Sequence, residues 1–200
     1  LIASGPDASP PEPVIIRRSA ISSFLDDDPE LTFLGTESGV PYFAADVSHI
    51  DEQTLTVALG GEFVDLRAAG QHMAPEPASL LAYARGMIHW HSTHRFCSRC
   101  GSAAESRHGG HMRQCVDTSC GRETYPRTDP AVIMLVEYQS PDHGPPVCLL
   151  GGHKRPPAPV FSTLAGLVAP GENLADAVAR EVQDEAGIQA TDVPSPPAPP

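Results

Sequence analysis

The chain has 200 residues, room for one or two domains, and 40 % of them are hydrophobic. Its net charge of −12 excludes a protein that grips nucleic acid through a generally basic surface, and it has no run of eighteen apolar residues that would make a transmembrane helix. The expectation is a soluble intracellular protein, the cytoplasm ahead of an organelle. Because the chain begins at Leu1, a preceding targeting segment stays open.

In chain order, residues 1–13 are proline-rich and polar, the composition of a disordered lead-in. Residues 14–91 are expected to form the first domain. Within it, Val40–Val47, Thr54–Leu59 and Phe63–Leu66 are β-prone runs bounded by Gly, Asp and Ser, which predicts a small β-rich fold. The stretch 77–91 sets Leu80, Leu81, Ala84, Met87 and Ile88 at helical spacing and predicts an amphipathic helix. His89, His91 and His94 at its end are either metal ligands or histidines favoured there by the helix dipole.

Residues 92–127 form the basic part of the chain, with 6 basic and 3 acidic groups against 4 and 13 before it and 3 and 9 after it. Here Cys97 and Cys100 are followed, after fourteen residues, by Cys115 and Cys120, with Gly101 and Gly121 just beyond each pair. Two such turns let four thiolates converge on one Zn²⁺, a closed structural site in a zinc ribbon. Two disulfides are the competing reading; the fifth cysteine and the absence of a secretory signature weigh against it. Cys148, in the apolar run 147–150, is expected to be a buried free thiol. Arg95, Arg99, Arg107, Arg113 and Arg122 leave open a ribbon that contacts nucleic acid, or simply a solvated face.

The chemistry concentrates in 166–188, GLVAPGENLADAVAREVQDEAGI. Pro170-Gly171 forms a turn, Asn173 is an N-cap, and Gly187 suits a left-handed helix end. Glu181, Asp184 and Glu185 at i, i+3 and i+4 share one helix face, and hard oxygen donors so placed suit Mg²⁺ or Mn²⁺. Leu174, Val178, Val182 and Ala186 make the adjoining apolar stripe. A solvated acidic face is the plainer alternative.

The pattern Gly166, five residues, Glu172, seven residues, then Arg180-Glu181-Val182-Gln183-Asp184-Glu185-Ala186-Gly187-Ile188 resembles the Nudix box, with Asp184 in place of Glu. The ribbon just upstream and the joining segment Tyr125-Pro126-Arg127 narrow the resemblance to the NADH pyrophosphatase family of Nudix hydrolases, over roughly residues 30–190. This implies an α+β or α/β chain: a β-rich N-terminal domain, a zinc ribbon, and a Nudix αβα sandwich domain over 128–193, followed by a Pro-rich tail over 194–200. It also implies cleavage of the diphosphate of NADH or NAD⁺ into nicotinamide mononucleotide and AMP, with NAD-capped RNA as a further substrate, no membrane partner, and a homodimer.

By the same resemblance, Glu181, Glu185 and the carbonyl of Ala165 bind catalytic Mg²⁺ or Mn²⁺, with Asp184 beside them. Glu172 and Arg180 tie loop to helix, Tyr125 contacts the nucleotide, and Cys97, Cys100, Cys115 and Cys120 hold zinc. The family's later Trp-containing specificity segment and final metal-binding Glu find no match in 189–200, so the Nudix domain is expected to be truncated after its helix. The alternative function is a non-catalytic remnant that binds a nucleotide or RNA.

Overall fold

A computed structural model describes residues 2–3, 10–25, 29–142, 144–153 and 159–194. The fold is mixed α+β, with small antiparallel sheets in two compact units, residues 1–126 and 127–200. Most of the lead-in and the tail residues 195–200 lie outside the described residues; what is described of the lead-in is a short ladder of β1 (Ile2–Ala3) with β2 (Glu12–Pro13).

In the first unit, α1 (Arg18–Ile21) precedes a hairpin of β3 (Leu31–Glu37) and β4 (Val40–Ala45). Its two-residue turn places both Ser38 and Gly39 at positive φ, 50° and 78°, the geometry that matches the twist of paired strands. The expected strand Val40–Val47 is therefore largely found. The other two are not. Thr54–Leu59 lies in α2 (Glu52–Leu59), and Phe63–Leu66 runs from an extended loop into α3 (Leu66–Gly70). Capping overrides the β-branched composition in both cases. The Asp51 carboxylate accepts from the Thr54 amide, that of Asp65 from the amides of Arg67 and Ala68, and Gly60 closes α2 at φ 74°.

The long helix α4 (Pro75–Thr93) starts with Pro in its first turn, where a missing N–H costs nothing. Its apolar face continues past the expected stripe to buried Trp90 and His91. Next comes a three-stranded sheet of β5 (Ala104–Arg107), β6 (Met112–Cys115) and β7 (Glu123–Thr124).

In the second unit, the apolar run 131–136 supplies β8 (Ala131–Met134) and the start of β9 (Val136–Tyr138), which pairs with β10 (Val147–Leu149). β11 (Gly151–His153) pairs with β12 (Val160–Ser162), and β13 (Leu164–Leu167) pairs with β8. Helix α5 (Leu174–Ala186) closes the core: Val132 and Met134 of β8, Leu164 of β13, and Ala177 and Val182 of the helix are buried together. Val182 is fully inaccessible, and burial of one such side chain stabilises by about 1.5–3 kcal/mol.

Two expectations fail here. Leu174, the first helical residue, is exposed, and Ala177 takes its place in the core because the helix meets the sheet one turn later. Cys148 is exposed, since in its ladder with β9 it faces away from the core that Leu149 packs against.

Candidate active site

The stretch from β13 to α5 is held by its own backbone before any side chain acts. Gly171 turns at φ 84°, the Glu172 amide donates to the Ala169 carbonyl at 3.1 Å, and Asn173 caps α5 by accepting from the Asp176 amide at 2.9 Å. The helix stops at Gly187, which is left-handed at φ 68° and donates to the Gln183 carbonyl. Each of these follows the local sequence signal.

Arg180 is the hub of the site. Its Nε donates to Glu172 Oε1 and its Nη2 to Glu172 Oε2, both at 2.9 Å, a bidentate fork. Nη2 also donates to the Leu167 carbonyl at 2.9 Å, and Nη1 to Glu181 Oε1 at 2.9 Å. Asp184 Oδ2 lies 3.6 Å from Nη1, a looser pair on a side chain 62 % exposed, and adds little on its own. Glu172 further accepts from the Ala169 amide at 3.0 Å. The structure thus joins Glu172 to Arg180, while the helix carboxylates Glu181 and Asp184 also meet that guanidinium. The contact to the Leu167 carbonyl has no sequence signal, because any residue offers a carbonyl.

The guanidinium, with help from the Ala169 amide, holds the Glu172 carboxyl below the ordinary range. The ionised form is therefore favoured by folding. The stability this adds is complete above the unfolded value of about 4.3 and is lost as pH falls through the lower folded value. Lysine at 180 cannot form the fork. In Arg180→Lys the loop and helix should therefore lose their common anchor, and the low-pH loss of stability seen in urea titrations should weaken.

Glu181 is seated against β13. A Cβ built on Gly166 would stand 2.0 Å from Glu181 Cδ and 2.3 Å from Cγ, so the absence of a side chain at 166 is the space the carboxylate occupies. Glu185 lies one turn beyond Glu181 on the exposed face, and Ala165 is exposed next to Gly166. Tyr125, in the first unit, is 53 % exposed, and its hydroxyl donates to Glu123 at 2.7 Å.

The thiols of the ribbon converge. Cys97, Cys100, Cys115 and Cys120 have all four sulfurs within 4.8 Å of one another, with 97–120 at 3.8 Å and 100–115 at 3.4 Å. A tetrahedral Zn²⁺ with bonds of about 2.3 Å needs sulfurs about 3.8 Å apart, whereas a disulfide needs about 2.05 Å. The donor set fits zinc and rules out the disulfide reading. The Ser102 amide and hydroxyl draw the Cys100 thiol down to about 6, while burial pushes Cys115 up to about 12. None of the three end-of-helix histidines joins this group, and His91 is occupied elsewhere by a backbone carbonyl. The arginines are divided: Arg95, Arg99, Arg107 and Arg122 are exposed, but Arg113 is 5 % exposed and serves inside the unit.

Three family models match in succession: an NADH pyrophosphatase-like rudimentary NUDIX domain over residues 4–90, an NADH pyrophosphatase zinc ribbon over 92–125, and a NUDIX domain over 127–196. The chain belongs to the NADH pyrophosphatase family of Nudix proteins. Among similar members of the family, Nudix hydrolase 19, chloroplastic, of Arabidopsis thaliana is 35 % identical over 180 residues, 84 % of this chain and 39 % of the relative. The NAD-capped RNA hydrolase NUDT12 of Homo sapiens is 42 % identical over 118 residues, 56 % of this chain and 25 % of the relative. The NAD-capped RNA hydrolase NudC of Stutzerimonas stutzeri is 35 % identical over 154 residues, 76 % of this chain and 53 % of the relative. The chain therefore spans between a quarter and about half of the length of these family members.

Proposed function

We propose that this chain carries the catalytic helix of a metal-dependent Nudix hydrolase that cleaves the diphosphate of NADH or NAD⁺, releasing nicotinamide mononucleotide and AMP, and that acts also on NAD-capped RNA. The observation that carries this is the Nudix box in assembled form: the Glu172–Arg180 fork together with Glu181 lodged in the space above Gly166. The names of its relatives favour an enzyme over the non-catalytic remnant.

Glu181 and Glu185, with the Ala165 carbonyl, are the groups that would hold Mg²⁺ or Mn²⁺, and their hard oxygens fit such ions. Divalent cations at such a site neutralise diphosphate charge and lower the pKa of bound water. The protein's own part is to set the carboxylates. Arg180 restrains one oxygen of Glu181 and leaves the rest of that carboxylate free as a ligand. Glu185, exposed on the same helix, is assigned to accept a proton from an attacking water as well. Asp184 reaches one methylene less than glutamate and is assigned to Arg180 instead of to a cation. Tyr125, an exposed aromatic with its hydroxyl turned to Glu123, is assigned to nucleotide contact. The domain limits 14–91, 92–127 and 128–193, and a homodimeric assembly, belong to the same proposal.

The test is release of AMP and nicotinamide mononucleotide from NADH with Mg²⁺ or Mn²⁺, compared between the unaltered chain and Glu185→Gln. Loss of a proton acceptor should reduce turnover by about 10²–10⁴-fold. Metal-independent release, or release unchanged in Glu185→Gln, would overturn the assignment.

A further inference from the structure

The first unit contains a buried polar cluster that catalysis does not use. His91 of α4 is 7 % exposed, and its Nε2 donates to the Gly110 carbonyl at 2.7 Å. A carbonyl only accepts, so Nε2 carries the hydrogen and Nδ1 is the position that gains or loses a proton. Nδ1 faces two groups at once: Arg113 Nη1 of β6 at 2.8 Å and Glu30 Oε1, just before β3, at 2.7 Å. Arg113 Nη1 and Glu30 Oε1 are themselves 2.5 Å apart, and Arg113 Nη2 donates to the Ala104 carbonyl of β5. Among the described residues, the remaining titratable group facing His91 is His111, whose Nε2 donates to the Phe33 carbonyl at 2.7 Å and whose Nδ1 meets the Tyr83 hydroxyl at 3.2 Å.

These contacts join three elements distant in sequence. The ribbon turn is also pressed on β3, since a Cβ on Gly110 would lie 2.8 Å from Thr32 Cα. With His91 neutral, Nδ1 accepts from the guanidinium, and Arg113 bridges the two acceptors Nδ1 and Glu30 Oε1, which lie 2.7 Å apart. With His91 charged, Nδ1–H turns to Glu30 Oε1, but two cations, both on buried side chains, then share one half-exposed carboxylate, and Arg113 loses Nδ1 as its acceptor. We propose that His91, Arg113 and Glu30 form a proton-sensitive latch that holds the zinc-ribbon hairpin to helix α4 and loosens when His91 Nδ1 is protonated.

Burial is the largest influence on His91 and lowers its pKa, opposed by the Gly110 carbonyl and by Glu30. The unfolded chain thus takes up the proton first. Latch stability is complete above the unfolded histidine value of about 6.5 and is lost progressively as pH falls through the lower folded value.

Trp90, the only tryptophan, reports on this directly, because its ring centroid lies 4.7 Å from that of His91 and 5.5 Å from that of His94. Trp90 emission of the zinc-loaded 200-residue protein is followed from neutral to acid pH, with zinc release monitored by a chromogenic chelator. The expected result is a transition below about pH 6.5 that precedes zinc release, persists in His94→Gln and vanishes in His91→Gln. Glu30→Gln, whose fold at neutral pH is checked by circular dichroism, removes the carboxylate that favours the charged imidazole. It should move the midpoint down by about half a pH unit or more. A transition that coincides with zinc loss, follows His94, or survives in His91→Gln overturns the latch. If His91→Gln does not fold, an unmoved midpoint in Glu30→Gln overturns it alone.

Discussion

Gly166→Ala should abolish most of the proposed hydrolysis while leaving the protein folded. The backbone at 166 is ordinary extended strand, so alanine is not refused by its conformation. It is refused by Glu181, whose Cδ and Cγ stand 2.0 and 2.3 Å from where the new carbon would be. The strand is fixed by its pairing with β8, Gly166 opposite Val132, and the helix is fixed by fully buried Ala177 and Val182. The side chain must therefore yield, and Glu181 leaves the position that Arg180 gives it. Displacement of a catalytic group by about 1 Å costs on the order of 10²-fold in rate, whereas overpacking at such a site costs about 1–3 kcal/mol of stability. Turnover measured beside urea denaturation separates the two. A variant with normal turnover would show that the carboxylate works from another position.

Removal of zinc should have the second large effect, on structure more than on chemistry. Four thiolates leave no open coordination position, so the metal's part is to fold the ribbon. The binding energy of such sites, about 10–16 kcal/mol in isolated fingers, is as large as the whole stability of a typical domain. Cys115→Ser, at a buried position on β6 paired with Ala104, should lose the metal and unravel the three-stranded sheet. Metal analysis should read one zinc in the unaltered chain and none in the variant, with near-ultraviolet circular dichroism reporting the loss of packing. Because thiols must give up their protons to bind zinc, zinc retention should also weaken as pH falls. A variant that keeps its metal would remove Cys115 from the ligand set.

How much of this was legible beforehand depended on how local the cause was. The box could be read because Gly171, Asn173 and Gly187 each impose a turn, a cap or a stop within a few residues. The four cysteines could be read because their spacing sets where their sulfurs meet. Residues 54–59 misled because Thr54, Thr56 and Val57 are β-branched, while the deciding residue, Asp51, stands outside the run. Cys148 misled because an apolar run does not say which face of its ladder is covered. The contact of Arg113 with Glu30 spans 83 positions, and the Glu181 carbon chain over Gly166 depends on how helix meets strand. Such pairings arise only from packing.

The arginine hub of α5 has a thermodynamic corollary. Its bonds to Glu172, Glu181 and the Leu167 carbonyl use protein groups at both ends, so the conformational entropy of ordering residues 167–181 is spent in folding. Under the proposed function, substrate meets a framework already set. Calorimetry should show an association with little loop-ordering penalty, and the affinity should depend on charge neutralisation more than on rearrangement of residues 167–181.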